Sequence, residues 1–497
     1  MPVTEWTPLL QSGQDTMGEK NIGISQLTLV SNDASAVRGK QLPQYAAALS
    51  ATIGALAFGG VLGWSTSGGD SGEKLAEQYN ITISSSEFSW IGSISNLGSA
   101  AICIPMGLMM DIFGRKRSML LLVVPYTIGW ALVIWAQSVV MFCIGRFLLG
   151  LSGGGFGVAV PVYTAEIGEP SIRGTLGAFY ELMLTSGVLI TYSLGTLIPI
   201  YYLSITFAIV PLLFFTIFSF MPESPTYFLM KNREEDARNS LLRLRGPKYD
   251  LDHELQVRKH VLAEELRNRG SFIQAIKSRV ARNGLIISYG LMFFQQLSGV
   301  NAIVFYTGSI FGKNGSISTD TSTIIVGALQ VLSTSISLLT VDKLGRRVLL
   351  LVSIVAMTIG MFSLGTYYYL EHIEADISSI NWLPLVSVCF FVLMCSLGFG
   401  PLPFMMVGEL FSPQIKGVAG SSACFFNWMM AFIVTRTYSD LVLAFGTYTT
   451  FWMYSVICAI GTVFVVFIVP ETKGKPLEQI QRELGAKSVP VPDPVKA

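Results

Sequence analysis

Twelve apolar segments dominate this sequence of 497 residues. Each is roughly 20 residues long, the length at which an α-helix crosses the hydrocarbon core of a bilayer. The segments lie approximately at 45–66, 87–110, 118–136, 141–164, 174–197, 200–220, 284–311, 321–341, 347–369, 384–408, 417–436 and 448–469. Because backbone in lipid must satisfy its own hydrogen bonds, each segment is expected to be helical. We predict an all-α polytopic membrane protein with twelve transmembrane helices.

The few charged residues and the placement of cysteine and histidine exclude several kinds of protein. Charged residues make up 13% of the chain, against about 25% in soluble domains. The six cysteines lie inside apolar segments and the three histidines outside them, so we expect no disulfide framework, metal site or cofactor. Nothing in the sequence indicates a nucleic-acid partner or the paired catalytic groups of an enzyme.

The loops predict how the chain is oriented and divided. Residues 223–283 hold thirteen Lys or Arg, and most loops on the opposite side hold few. Positive loops stay in the cytoplasm, so both termini are predicted to be cytoplasmic, and residues 1–44 do not resemble a signal peptide. The predicted parts are a tail (1–44), a six-helix half (45–222), cytoplasmic linker helices (223–283), a second six-helix half (284–470) and a tail (471–497).

Three short charged motifs occur twice, in the same order and at a nearly constant offset. The copies are DIFGRKRS from Asp111 and DKLGRRVL from Asp342, the pairs Glu166/Arg173 and Glu409/Lys416, and PESP from Pro222 and PETKG from Pro470. This recurrence predicts an internal duplication of six plus six helices, as in transporters whose halves rock around a central site.

The repeated charges are candidates for a gate. Each Glu and Arg or Lys of the second motif, seven residues apart, can bridge one helix end and the start of the next. On the cytoplasmic side such groups can form ion pairs between the halves that hold when the inside is shut. The candidate gate residues are Asp111, Arg115, Glu166, Arg173, Glu223, Asp342, Arg346, Arg347, Glu409, Lys416 and Glu471. The alternative is that the basic residues only fix the orientation.

The motifs GRK, GRR, PESP, QQLSGVNA, GFGPLP and PETKG resemble the sugar porter family of the major facilitator superfamily, over about residues 45–480. GFGPLPFMMVGELFSPQIKG followed by FFNWMMAFIVTRTY looks most like insect facilitated trehalose transporters and related facilitative glucose transporters. The resemblance implies the major facilitator fold. It also implies facilitative uniport of trehalose or a hexose by alternating access.

The resemblance also implies a set of substrate contacts. Carboxamides suit sugar hydroxyls because one uncharged group both donates and accepts hydrogen bonds. The candidate sugar-binding residues are Gln295, Gln296, Asn301, Gln330, Phe404, Asn427, Trp428 and Glu181. Since Gln296 and Asn301 would point about 140° apart on an ideal helix, Ser298-Gly299 predicts a local break. The alternative is that these amides only hold helices together.

Glu181 and Arg146 leave the coupling mechanism open. An acid within a span is by default a functional candidate, and Glu181 could bind sugar, carry a coupling proton or face a cation. Proton-coupled members of the family carry an acid in the first span, where this chain has Ser65. Arg146 therefore lacks its usual partner, which favours uniport. The alternatives are a proton-coupled symporter using Glu181 and a sugar receptor that does not transport.

Short sequence patterns suggest a membrane location and two glycosylation sites. The plasma membrane is the default location. The stretch EWTPLL, with Glu5, Leu9 and Leu10, fits an acidic dileucine signal for a sorting adaptor and allows an endosomal or lysosomal alternative. Asn80 and Asn314 lie in glycosylation sequons in predicted outside loops. Membrane lipid and a small sugar are the other expected partners.

Overall fold

The computed structural model describes residues 39–69, 72–268, 278–311, 318–411, 413–475 and 477–485. In order, its α-helices are α1 Leu42–Trp64, α2 Glu73–Tyr79, α3 Ser85–Phe113, α4 Arg115–Leu121, α5 Val123–Ile134, α6 Val139–Ile167, α7 Arg173–Leu197, α8 Ile200–Phe218, α9 Pro225–Met230, α10 Glu234–Arg245, α11 Leu251–Asn268, α12 Arg279–Leu297, α13 Val300–Phe311, α14 Thr319–Leu344, α15 Arg346–His372, α16 Leu383–Leu397, α17 Leu402–Leu410, α18 Pro413–Phe445, α19 Thr447–Ile468 and α20 Leu477–Glu483. Glu5, Leu9, Leu10 and Asn314 lie outside the described residues.

The predicted spans are helical where the sequence placed them. Nine helices or helix pairs of the described chain are long and apolar enough to cross a membrane by length and composition. The other three predicted spans correspond to α7, the α12–α13 pair and α14. All three carry polar candidates for the substrate site, among them Glu181, Gln295 and Gln330. The least apolar helices are therefore the ones expected to line the transport path.

Three spans are interrupted rather than continuous. The break between α12 and α13 falls at Ser298-Gly299, as the sequence predicted. The sequence analysis missed two others, at Leu122 between α4 and α5 and at 398–401 between α16 and α17. In the latter, Pro401 has no N–H to donate, and the Gly400 N–H turns back to the Cys395 carbonyl at 2.7 Å. The break leaves main-chain carbonyls free for side chains of other helices.

Close helix packing in the first half depends on a small residue. A Cβ on Gly150 of α6 would lie 1.8 Å from the Ser95 carbonyl oxygen of α3. Without a driving force from water, membrane helices associate through such close approaches of their backbones. Gly154, one turn further along α6, has the same role, since a Cβ there would lie 2.6 Å from the Ser99 Cα of α3.

The two halves contact each other at the end of the bundle opposite the linker helices, which we call the distal side. Thr66 Oγ1 and the Tyr192 hydroxyl, from the first half, both donate to the Val304 carbonyl of α13, at 2.9 and 2.7 Å. Ser89 Oγ of α3 donates to the Arg436 carbonyl of α18 at 2.9 Å. These hydrogen bonds between halves close the distal side.

The halves are less closely packed on the linker side, where α9–α11 lie. A Cβ on Gly174 or Gly177, at the start of α7, or on Gly417, at the start of α18, would meet no atom within 4 Å. Phe404 of α17 is 43% exposed. The seam between α3 and α18 stays in contact, with the Cys103 and Cys424 sulfurs 3.4 Å apart. We infer that the space between the halves opens toward the linker side.

The linker forms helices with their own small core. Leu229, Ala237, Leu241, Leu251 and Leu255 pack together from α9, α10 and α11. A buried arginine fastens the linker to the first half. Arg245 donates to the Ile167 carbonyl at 2.7 Å and pairs with Glu254 at 3.1 Å. Within this conformation, α10 is thus held against the linker-side end of α6.

Candidate functional site

Three of the predicted carboxamides are joined by hydrogen bonds. Asn301 Nδ2 donates a short hydrogen bond to Gln296 Oε1, and Gln296 Nε2 donates to Asn427 Oδ1 at 2.8 Å. The helix break after Leu297 brings Gln296 and Asn301 to the same side of span 7. Asn427 reaches them from α18. The result is an amide chain, Asn301–Gln296–Asn427, across two helices.

The amide chain has unused capacity at both ends. Neither the Asn427 Nδ2 donor nor the Asn301 Oδ1 acceptor has a partner in the described protein, and neither is sealed in by it. A sugar hydroxyl can accept from the first group or donate to the second. Internal hydrogen bonds fix the orientation of all three amides in advance, which reduces the entropy lost when a ligand binds.

Gln295 has a different position from its neighbour. Its Nε2 donates to the carbonyls of Phe399 and Gly400, at 2.7 and 2.8 Å, in the break between α16 and α17. Gln295 therefore supplies partners to interrupted backbone, as buried carbonyls require. Its Oε1 is buried without a partner in the described residues. The Gln295 side chain thus joins two helices, as the alternative role predicted, and its Oε1 stays available as an acceptor.

The turn that orients the amide chain depends on Gly299. This residue has φ +87°, a region that costs little only for glycine. A Cβ there would lie 2.7 Å from Tyr454 Cδ2. Both the backbone and the neighbouring ring therefore require a glycine.

Replacing Gly299 with alanine is expected to shift span 7 and to reduce sugar uptake. The strain of a non-glycine residue at this φ is about 1–2 kcal/mol, before the contact with Tyr454. We expect a lower melting temperature and a weaker apparent affinity for sugar in the same preparation. Gly446→Ala is a matched control, since Gly446 has a similar φ of +85° but lies at the distal end of α19. Equal uptake by G299A and G446A would contradict this account of the turn.

Trp428, Phe404 and Gln330 are less constrained than the amides. Trp428 packs edge-on against Phe58 of α1, with ring centroids 5.4 Å apart, so an aromatic pair joins the two halves beside Asn427. Phe404 exposes its ring toward open space. The Gln330 side chain is half-buried and has no side-chain partner among the described residues. All three can contact a ligand without breaking an existing hydrogen bond.

Glu181 is half-buried on α7, two turns from the linker-side end. No Lys or Arg of the described chain lies within ion-pair distance, and no hydrogen bond reaches its carboxylate. The reading in which Glu181 simply faces a cation therefore gains no support. A carboxylate without partners in this location is suited to bind a hydroxyl or a proton.

Arg146 lies fully buried among neutral groups. Its guanidinium donates to the carbonyls of Val61 and Ile91, at 2.6 and 3.2 Å. It also donates to Ser65 Oγ at 3.0 Å and Ser95 Oγ at 3.4 Å. The described residues include no carboxylate within 4 Å of Arg146. Ser65 therefore stands beside Arg146, at the position where the resemblance led us to look for an acid.

The charged turn of the first half is organised around two acids. Glu166 pairs with Arg115 at 2.8 Å. Glu223 accepts from the backbone N–H groups of Arg115 and Lys116, all at 3.0 Å, at the start of α4. Asp111 lies farther from Arg115, at 3.8 Å, and is largely exposed. These contacts fix the turn against the ends of α6 and α8.

The second half repeats this arrangement. Glu409 pairs with Arg346 at 3.1 Å. Glu471 accepts from the backbone N–H groups of Arg346 and Arg347, at 3.0 and 3.1 Å, at the start of α15. The duplication read from the motifs is thus also a duplication of contacts. The side chains of Asp342 and Lys416 lie outside the described residues.

These ion pairs are not the ones predicted for the state in which the linker side is shut. Each described pair lies within one half, and Glu166 bonds Arg115 rather than Arg173. Arg173 is exposed and has no ion pair with a described residue. The partner of Glu166 thus comes from α4, which is distant in sequence, and not from the same motif. Ion pairs between the halves when the linker side is shut stay a prediction.

The sequence analysis missed two hydroxyl partners of the gate acids. Ser224 Oγ donates a short hydrogen bond to Glu166 Oε2, and Thr472 Oγ1 donates to Glu409 Oε2 at 2.5 Å. Both follow the glutamate of a Pro-Glu motif, in PESP and PETKG. A shared Ser or Thr in the two copies was the available signal.

Comparison with known proteins gives consistent results. The family model described as "Sugar (and other) transporter" matches residues 43–484. The chain is 38% identical over 447 residues to the facilitated trehalose transporter Tret1 of Culex quinquefasciatus, covering 89% of this chain and 86% of that one. It is 39% identical over 447 residues to Tret1 of Aedes aegypti, again over 89% of this chain but only 55% of the relative. The chain thus spans about half the length of some relatives.

Solved structures share the fold. The proton:xylose symporter XylE bound to 6-bromo-6-deoxy-D-glucose, of the major facilitator superfamily, aligns with a TM-score of 0.74 and 26% identity, covering 89% of this chain and 99% of that one. XylE of E. coli in an inward-open conformation aligns with a TM-score of 0.72 and 25% identity, over 88% and 98%. The twelve-helix major facilitator fold predicted from the sequence is confirmed.

Proposed function

This chain belongs to the sugar transporter family, and from that premise we propose that it is a facilitative carrier of trehalose or a hexose. Membership also makes it a multi-pass membrane transporter and not an enzyme. The observation that carries the proposal is the amide chain Asn301–Gln296–Asn427, which joins two helices of the second half. It presents an oriented donor and an oriented acceptor without a charge.

The other candidate residues also fit a sugar. Trp428 and Phe404 provide aromatic faces for the C–H groups of a pyranose ring. Gln330 and Glu181 add polar groups that form no hydrogen bond with a described side chain. Tret1 relatives are named as facilitated trehalose transporters, which supports trehalose as the first substrate to test.

Uniport is supported by the surroundings of Arg146. An acid that exchanges a proton while paired with a buried cation could couple transport to a proton gradient. Here, hydroxyls and carbonyls satisfy Arg146 instead. Proton symport through Glu181 is the second candidate, favoured by a carboxylate with no partner in the described protein.

We further propose that the linker side is cytoplasmic and that this conformation opens inward. The excess of Lys and Arg in the linker supports this orientation. The distal hydrogen bonds through Val304 and Arg436 would then shut the outside. Plasma membrane location, with an endosomal or lysosomal alternative through Glu5, Leu9 and Leu10, belongs to the same proposal. Glycosylation of Asn80, which is exposed just after the end of α2, is also part of this proposal.

Counterflow in proteoliposomes tests the substrate. Vesicles loaded with unlabelled trehalose should take up labelled trehalose, and an excess of external unlabelled sugar should compete. The same experiment with glucose decides between the disaccharide and a hexose. Counterflow of glucose alone would replace trehalose as the substrate, and counterflow of neither sugar would contradict the proposed function.

Glu181→Gln separates the two candidate mechanisms. A uniporter that uses Glu181 as a sugar ligand should keep counterflow within roughly threefold, because glutamine retains hydrogen-bonding capacity. Glu181→Leu should reduce counterflow further, since leucine cannot bond a hydroxyl. A symporter would show a different pattern, in which E181Q abolishes proton-driven accumulation while counterflow persists.

A further inference from the structure

A second cavity lies far from the amide chain, where α4 meets the linker. Its volume is about 460 Å³, within the range of small-molecule sites. The charged side chains that line it are Lys116, Arg117, Glu223, Arg233, Asp236 and Arg243. The cavity thus combines four cations with two acids.

Both acids are already engaged. Glu223 accepts from the N–H groups at the start of α4 and from the Ser224 N–H. Asp236 pairs with Arg233 at 2.7 Å. Asp236 thus neutralises Arg233, whereas Glu223 keeps its negative charge because its donors are neutral N–H groups. Lys116, Arg117 and Arg243 are the lining cations without an ion pair among the described residues.

The three remaining cations have no carboxylate within 4 Å among the described residues. Lys116 donates to the Ser219 carbonyl at 2.6 Å, and Arg243 donates to the Phe220 carbonyl at 2.7 Å. Arg117 is exposed and has no partner in the described protein. Most of their N–H donors are therefore free, and the cavity carries an excess of two positive charges, with four cations against two acids.

The cavity lies at the level where membrane helices end. Phe220, just beyond α8, is 71% exposed, and Phe113 at the end of α3 is 45% exposed. Such exposed apolar side chains on a membrane-spanning bundle face lipid. Because the Phe220 carbonyl binds Arg243, the basic cavity and the apolar surface are contiguous. A ligand could place its acyl chains on the apolar surface and its anionic group in the basic cavity.

We propose that this cavity binds the headgroup of an anionic phospholipid that carries a phosphomonoester. Basic pockets beside membrane helices recognise such headgroups. A phosphodiester alone supplies one negative charge, whereas a phosphomonoester adds about −1.5 to −2. An excess of two positive charges fits the phosphomonoester better than the phosphodiester. Arg117 and Arg243 contact the phosphate, and the acyl chains lie against Phe220.

Native mass spectrometry of the full chain tests the site, with dioctanoyl phosphatidylinositol 4-phosphate as the probe. The double variant Arg117→Gln/Arg243→Gln removes two cations at exposed positions, so the fold should persist, and its elution profile and melting temperature verify this. We expect about tenfold weaker lipid binding than in the wild type, from the loss of two charge-assisted contacts. Arg238→Gln is the control, since Arg238 lies on the same helix but pairs with Asp252.

Three outcomes would overturn the proposal. Equal lipid binding by wild type and R117Q/R243Q would remove the cavity as the site. Equal binding of dioctanoyl phosphatidylserine would remove the phosphomonoester requirement. Binding of soluble inositol 1,4-bisphosphate as tight as that of the lipid would show that the ligand is a free phosphate rather than a membrane component.

Discussion

Replacing Asn427 with leucine should lower kcat/KM for sugar uptake about 100-fold, which corresponds to about 2.7 kcal/mol. Leucine has a similar size but can neither bond a sugar hydroxyl nor accept from Gln296. The change leaves the Gln296 donor, now at 2.8 Å from Asn427 Oδ1, without a partner. An unsatisfied buried donor costs about 1–3 kcal/mol. Initial uptake rates at several sugar concentrations, divided by the amount of folded carrier, give this value.

A purely structural role for Asn427 predicts a different result. In that case N427L would lower the melting temperature, and the carrier that remains folded would transport normally. Thr437→Val is the matched control on the same helix, since Thr437 is half-buried and bonds only the Ile433 carbonyl of its own turn. Uptake by N427L within about threefold of T437V would remove the amide chain from the sugar site.

Replacing Arg146 with leucine should destabilise the first half by about 3 kcal/mol or more. The guanidinium satisfies groups on α1 and α3 at once, through Val61, Ile91, Ser65 and Ser95. Removing it leaves several buried acceptors with one partner fewer, and each such loss costs about 1–3 kcal/mol. The midpoint of thermal unfolding in detergent measures the change.

Two further variants separate charge from geometry at this site. Arg146→Lys keeps the charge but replaces a planar fork of five donors with a single ammonium group, so we expect an intermediate melting temperature. Ser65→Ala removes only one acceptor and should cost about 1 kcal/mol or less. A melting temperature of R146L equal to that of S65A would show that the buried hydrogen bonds of Arg146 do not hold α1, α3 and α6 together.

The sequence predicted the spans well because length and hydropathy are local properties. It also predicted the break at Ser298-Gly299, since an ideal helix could not bring Gln296 and Asn301 together. The break at 398–401 carried a comparable signal, in GFGP, that was not used. The break at Leu122 also carried a signal, because Pro125 in LLLVVPY has no N–H to donate to the Leu121 carbonyl four residues earlier.

Partners distant in sequence could not be predicted in the same way. Arg115 and Glu166 meet because α4 packs against α6, and no local spacing encodes that contact. For the same reason, the sequence did not reveal that Gln295 donates hydrogen bonds to the carbonyls of Phe399 and Gly400. Ser65 was singled out only through the family resemblance, and the structure then placed it beside Arg146.

The measurement that most directly tests the account is trehalose uptake into proteoliposomes with and without an imposed proton gradient. The account predicts the same final level of trehalose in both conditions, because Arg146 has no acidic partner in the described protein through which a proton gradient could drive transport. Accumulation above equilibrium that follows the direction of the gradient would contradict uniport.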